Sequence, residues 1–426
     1  MKIKSLKINK HFHLEDISFD FTYPLGHEKE GQPLDKICFI GQSATGKTKL
    51  LKLISETILY LLRLEIVNGT DIWMKPSNYS NDLDGKLELI FEKNSLIFTN
   101  DEVQYNNSIF KNHKGSGGTI DNLLPNHNYS NKVLYFDSNY ISTENLKYFN
   151  TKPLEIVFEP RKTELNKLDE FIFDENSSDQ YIIRLLKSFL DYRQKFDTKA
   201  RELLLSGYIS DMNKLNKEFQ KWQKENPNPI DNLSEKFDLI FSKLNLEIDK
   251  INVDYPIPFK NKNTDEIIPF SGLSTGTKGL LLLLLPLYLI DTSKSIVLID
   301  EPERSLYPDI QMELIETFKK ISPKSQLIIA THSPFIASSF EPEERFILFF
   351  HEDGKVGVMR GTAPIGDDPN DILKSDFKLE HLMNVDGREA FDKYKKLKKE
   401  LSEETNKKKK DKLLEELLEI GNAYKF

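Results

Sequence analysis

The chain has 426 residues, of which 38% are hydrophobic and 30% charged, and its net charge is −8. That length holds roughly two to four domains, or one large domain with insertions, and the balance is globular with enough apolar material for a sizeable core. The acidic total excludes a globally basic nucleic-acid binder but leaves a local basic patch open, and the single cysteine, Cys38, excludes an internal disulfide and a cysteine-built zinc cage, which fits a reducing, cytoplasmic setting.

In chain order, the first segment alternates apolar and polar residues. Ile3, Leu6 and Ile8, then Ile17, Phe19 and Phe21, predict two short strands rather than a secretory leader. Lys36 to Ile40 predicts a buried strand running into a glycine. From Thr48 to about Ile66, the residues Leu50, Leu51, Ile54, Ile58, Leu61 and Leu62 recur at helical spacing. Residues 68–130 are rich in Asn, Ser, Gly and Asp. Within them Lys86 to Phe91 and Ser95 to Phe98 predict strands joined at Lys93-Asn94, and Gly115 to Gly118 a mobile loop. Val133 to Phe136 predicts another buried strand.

From about Arg161 to Leu246 charge rises, glycine nearly vanishes and apolar residues take helical spacing. This predicts a helical insertion, broken at Asn226-Pro227-Asn228-Pro229 and far too short for a long coiled-coil arm. Ser295 to Ile299 and Gln326 to Ala330 are short apolar runs, each followed by a helical segment, the pattern of parallel strands. The tail from about Phe391 is Lys/Glu-rich with helical period, and Lys407 to Lys410 reads as a solvated face or turn. The expected divisions are an N-terminal lobe at 1–160, a helical insertion at 161–246, a second lobe at 247–350 and a helical tail at 351–426.

The six leucines Leu280 to Leu285 are the nearest approach to a membrane segment. The apolar run ends at Asp291 and contains Pro286, so it falls short of the ~18 residues a span needs and reads as a core helix.

Three stretches carry chemistry. Gly41-Gln42-Ser43-Ala44-Thr45-Gly46-Lys47-Thr48 matches G-x-x-x-x-G-K-[ST], with a strand before it and a helix after. Its glycines let backbone N–H groups wrap phosphate oxygens, and the helix start adds its positive dipole end. Lys47 is placed to reach the β- and γ-phosphates and Thr48 to offer its hydroxyl to Mg²⁺. The strand Ile296 to Ile299 ends in Asp300-Glu301, two carboxylates where open α/β sheets hold ligands. Asp300 suits Mg²⁺, and Glu301 suits orienting or deprotonating an attacking water. The next strand ends in Thr331-His332-Ser333-Pro334, where His332 can contact a γ-phosphate.

These motifs, with LSTGTK at Leu273 to Lys278 and SLYP at Ser305 to Pro308, together resemble the ATP-binding-cassette ATPases of the SMC/RecF-like branch (AAA15/OLD-like). The resemblance covers roughly residues 1–150 and 250–350. It implies an α/β P-loop NTPase head with a mixed sheet flanked by helices, an N-terminal antiparallel β subdomain and a helical insertion. It implies ATP and Mg²⁺ as cofactors and a homodimer or higher even oligomer. Leu273, Ser274, Thr275, Gly276, Thr277 and Lys278 would be a signature capping ATP held by the partner copy, Ser305 and Leu306 a D-loop, and His332 the switch histidine. Asp137-Ser138-Asn139 stands where that family's Q-loop lies but has no glutamine. The signature also departs from the transporter form LSGGQ at Thr275 and Thr277.

The tail is similar to tails of AAA-type ATPases in bacterial defence operons, and the layout to Septu-type ATPases that work beside a separate nuclease. That implies an ATP-hydrolysing sensor or regulator in antiviral defence, with a separate effector and no membrane. The alternative is a RecF-like ATPase that binds DNA in repair or recombination. No Toprim acidic set or HNH site is evident after Phe350, and Asp367-Asp368 reads as a polar turn before Pro369.

Overall fold

The computed structural model describes residues 1–67, 71–74, 82–91, 94–99, 102–112, 120–122, 131–140, 149, 170–174, 179–207, 210–250, 252, 254–379 and 381–426. A seven-stranded sheet forms its centre. Across it the strands run Glu170–Phe173, Val133–Phe136, Ile296–Asp300, Gln326–Ala330, Lys36–Gly41, Arg345–Phe350 and Val356–Arg360. All neighbours are parallel except the last pair. Side chains alternate between two cores, as period 2 requires. Cys38, Ile40, Val297 and Ile299 face one side and Ile37, Phe39, Ile296 and Leu298 the other.

The first core is covered by the helices. The leucine-run helix Thr275–Leu289 buries Leu280 to Leu285 and Leu287, and it packs with Pro308–Ile321 and Pro229–Lys243. Because these leucines lie on every side of the helix, it is a core element. Among the described residues no helix is long and apolar enough to cross a membrane. The second core joins the helix Lys47–Leu62 to a nine-stranded, largely antiparallel sheet that starts with Lys2–His11 and Leu14–Asp20. This is the expected N-terminal β layer, and it includes the Asp84–Phe91 and Asn94–Thr99 hairpin.

Two local expectations change. The first helix stops at Leu62, and Leu64–Val67 is a strand paired with Asp71–Met74. Ile66 keeps helical spacing from Leu62, but the strand pairing overrides it. Glu170–Phe173 lies inside the stretch expected to be helical, yet it is an edge strand of the central sheet, parallel to Val133–Phe136. The helices of that stretch are Asp179–Leu205, Met212–Glu225 and Pro229–Lys243, with the break where the two prolines fall. Lys407 to Lys410 are exposed in the first turn of the helix Lys407–Tyr424, the solvated face read from the sequence. The expected GSGG loop lies outside the described residues. The boundary expected at 350 falls inside the antiparallel pair Arg345–Phe350 and Val356–Arg360.

A buried charge pair ties the chain beyond this hairpin to the sheet. Arg345 and Asp376 are both fully buried, with Nε 2.9 Å from Oδ2. The Arg345 guanidinium also donates to the carbonyls of Ala337, Phe340 and Ala363. Asp376 Oδ1 accepts from the Thr362 N–H and hydroxyl, each at 2.9 Å. Nε and Oδ2 meet only as an ion pair without hydrogen-bond geometry, and the hydrogen bonds to the other atoms of the two groups are what make such a pair tolerable in a core. Asp368 accepts from the Asn370 N–H and caps the short helix Pro369–Ser375, the polar-turn role read from the sequence.

Candidate functional site

Residues from three adjacent strand ends meet at one edge of the central sheet. The first is Lys36–Gly41, which turns into the loop Gln42 to Gly46 and then the helix at Lys47. Three residues of this turn have positive φ: Gly41 at 138°, Ala44 at 66° and Gly46 at 90°. At Gly41 a Cβ would also lie 2.0 Å from the Leu348 carbonyl oxygen, so only glycine fits there. At Gly46 it would lie 2.8 Å from His13 Nε2. The loop therefore gets its shape from the neighbouring strand as well as from its own sequence.

Lys47 lies across this loop, donating to the carbonyls of Gly41 and Gln42 at 3.0 Å each. It is 6% exposed. Burial pulls its pKa down to about 8, against the opposing pull of Asp300, Glu301 and Glu303. Thr48 donates its hydroxyl to Asp300 Oδ2 at 2.8 Å, across 252 residues of chain. Asp300 ends the strand Ile296–Asp300. Burial pushes its pKa up to about 6, opposed by the Thr48 hydrogen bond and reinforced by Glu301, Asp137 and Glu303. Both shifts reflect charges held away from water. A phosphate beside Lys47 and a cation beside Asp300 would each relieve one of them. The Thr48 hydroxyl and Asp300 carboxylate are hard oxygen donors, and two such protein ligands are what Mg²⁺ takes when water and phosphate complete its shell.

Glu301 follows with φ 47°, a left-handed conformation fixed by its N–H bonding the Ala330 carbonyl at 2.9 Å. One strand further, Thr331 donates its N–H to the Phe39 carbonyl, which brings His332 to the same edge. His332 Nε2 stands 3.8 Å from Glu301 Oε1. Burial lowers the His332 pKa, Lys47 lowers it further, and Glu301 opposes both. The expected residues of three distant motifs are therefore gathered in one place.

Two contributors were missed in the sequence. Glu303, the last residue of DEPE, accepts the His332 N–H at 2.8 Å, and burial raises its pKa. Arg304 donates to the Ser138 carbonyl at 2.8 Å and to Asn139 Oδ1 at 2.9 Å. The third acid of DEPE was the available signal for Glu303; no spacing pointed to Arg304. The Asp137 to Asn139 segment is thereby tied to the Glu301 loop without a glutamine. Asp137 itself bonds the Phe173 carbonyl through its N–H and accepts the Asn139 N–H at 2.8 Å.

The LSTGTK segment is the part this edge does not gather. Ser274 is the N-cap of Thr275–Leu289, accepting the Thr277 N–H at 3.2 Å and pairing with the Thr277 hydroxyl at 2.8 Å. Lys278 donates to the Ser271 carbonyl at 2.8 Å. No hydrogen bond of Ser274 to Lys278 reaches residues 41–48. A Cβ on Gly276 would lie 2.1 Å from the Ser305 carbonyl oxygen. The helix start thus rests directly on the Ser305-Leu306 turn, whose Ser305 has φ 62°.

Elsewhere, His27, Glu341 and Glu343 bring one nitrogen and two carboxylates together. His27 Nδ1 accepts the Lys29 N–H at 3.0 Å, so Nε2 carries the proton and faces the carboxylates at 3.5 and 3.8 Å. A nitrogen that donates cannot also ligate, and this cluster reads as a charged turn contact.

A family model described as "AAA domain, putative AbiEii toxin, Type IV TA system" matches residues 136–338. No curated protein matches the chain. Among solved structures, the chain is similar to an Smc head bound to the C-winged helix domain of ScpA, with 12% identity, 84% of this chain and 97% of that chain covered, and a TM-score of 0.40. An Smc head with an extended coiled coil, bound to the C-terminal domain of ScpA and derived from Pyrococcus furiosus, gives 12% identity, 84% and 96% coverage and 0.37. The SMC head domain from Thermotoga maritima gives 12%, 85% and 100%, and 0.40. The AAA-domain match takes in the strand ending at Asp300 and the one ending before Thr331, while the strand–loop–helix turn around Lys47 lies outside it.

Proposed function

We propose that the chain binds and hydrolyses ATP as a two-copy switch. The observation that carries this is the Thr48–Asp300 hydrogen bond beside buried Lys47, with Glu301 and His332 3.8 Å apart at the same sheet edge. In this reading Gly41 to Thr48 cradle the phosphates and Lys47 neutralises them. Thr48 and Asp300 would hold Mg²⁺, which would supply charge neutralisation to the bound triphosphate. Glu301 orients the attacking water and takes its proton, and His332 faces the γ-phosphate. Leu273 to Lys278 of one copy close over the phosphate loop of the other, alongside Ser305 and Leu306. Each site then needs two chains, and nucleotide drives assembly.

Lys47→Ala should lower nucleotide affinity at least ~100-fold, since a buried charge-assisted contact is lost. Titration with a fluorescent ATP analogue reads this. Retained affinity would reject the phosphate-loop assignment.

We further propose that the switch works in bacterial antiviral defence and controls a separate effector, for which a nuclease is the leading class. The type IV toxin–antitoxin description of the matched family supports a role in such conflict systems. The purified chain with ATP and Mg²⁺ should then leave plasmid DNA uncut on a gel. Efficient cleavage by the chain alone would overturn this division of labour.

A further inference from the structure

The C-terminal hairpin consists of Val385–Glu403 and Lys407–Tyr424, two helices that pack chiefly on each other. From Asp392 to Lys412 the chain carries ten lysines and no arginine, against five acidic residues, within a protein of net charge −8. Lys395 pairs with Asp392 at 3.7 Å. The other nine lysines have no ion pair among the described residues, although Lys409 acts electrostatically on Glu404, so the stretch keeps a surplus of positive charge.

The hairpin is only partly closed on its apolar side, with Leu414 and Leu418 left exposed. Leu397 is buried, and Phe391 and Tyr394 meet Phe426 with ring centroids 5.0 and 5.7 Å apart. Asn406 caps the second helix by accepting the Lys408 and Lys409 N–H groups. Lys407 to Lys410 occupy four successive positions of its first turn. At ~100° per residue they surround the axis rather than line one face. They also sit at the positive end of the helix dipole, where cations are disfavoured. The sequence therefore concentrates positive charge where folding gains nothing from it.

We propose that this tip binds the phosphate backbone of double-stranded nucleic acid without reading its sequence. A membrane-surface helix would segregate its lysines from an apolar face, whereas here charge surrounds the first turn. Single-strand binding uses exposed aromatic platforms, and here Phe391 and Tyr394 are engaged with Phe426. Lysine ammoniums, unlike guanidinium forks, contact phosphates as point charges and give little base discrimination. The proposal is independent of the ATPase reading, and either can fail alone.

The test is fluorescence anisotropy of the full chain with a labelled duplex between about 50 and about 200 mM salt. Affinity should fall steeply with salt, at about −0.9 log units per log unit for each phosphate contacted. It should be equal for unrelated duplex sequences and weaker for a single strand. The combined variant Lys407→Glu, Lys408→Glu, Lys409→Glu, Lys410→Glu should lose at least ~10-fold in affinity and show a shallower salt slope. Acidic residues suit a helix N-terminus, so the variant should keep its far-UV circular dichroism and its ATP-analogue binding, and misfolding is controlled for. Undiminished duplex binding by the variant would overturn the proposal. So would binding of the natural chain to phosphatidylserine vesicles but not to duplex, which would assign the tip to a lipid surface.

Discussion

Glu301→Gln should slow ATP turnover by ~10²–10⁴-fold, the usual worth of a positioned general base, while ATP stays bound and a two-copy assembly accumulates. The substitution keeps shape and removes only the charge and the proton acceptor. The backbone at Glu301 is held by the Ala330 carbonyl rather than by the side chain, so the loop should stay in place. The change also removes one of the negative charges that raise the Asp300 pKa. Asp300 would then ionise more readily, and the anionic triphosphate would meet less repulsion, so nucleotide affinity should hold or rise. Phosphate release and light scattering with and without ATP measure the two halves of the prediction. Unchanged turnover would remove Glu301 from the chemistry. A monomer that stays monomeric with ATP bound would remove the two-copy closure.

Ser274→Arg separates binding from assembly. Ser274 is exposed, and what it contributes within the chain is a helix cap. Losing that cap costs about 1 kcal/mol. The helix keeps its buried leucines, so the fold should survive. Because no hydrogen bond links Ser274 to Lys278 with the phosphate loop of the same chain, ATP should still bind there with near-normal affinity. The bulk of the new side chain would occupy the space where a second copy's phosphate must approach. ATP-dependent assembly should vanish and turnover fall at least ~100-fold. Equilibrium binding, light scattering and phosphate release on one preparation decide it; surviving hydrolysis would show that Ser274 does not act across copies.

The parts of the site that were legible in the sequence are those whose signal is local. A glycine loop between a strand and a helix, or two carboxylates at a strand end, is written in about a dozen consecutive residues, even where a distant strand completes its shape. Glu303 and Arg304 escaped because their direction is set by left-handed backbone at Glu301 and Ser305, which spacing does not report. Glu170–Phe173 escaped for a different reason. Four residues in a charged segment give little periodicity, and their strand character comes from pairing along Val133–Phe136. Leu64–Val67 shows the converse, a helical spacing defeated by a neighbouring strand. The order of the sheet, which brings Thr48 to Asp300, depends on packing between distant segments and could be inferred only through a resemblance.

That order has a consequence for synthesis. The phosphate-loop strand Lys36–Gly41 lies between Gln326–Ala330 and Arg345–Phe350, so it has no partner in the central sheet until the first of these has emerged. About 290 residues separate it from the first of these, which at ~5–20 residues per second is a wait of roughly 15–60 s on the ribosome. During that time Ile37 and Phe39 have no sheet neighbours, and the carbonyl that shapes Gly41 does not yet exist. A nascent chain stopped short of residue 326 would carry the complete phosphate-loop sequence and still lack a phosphate site.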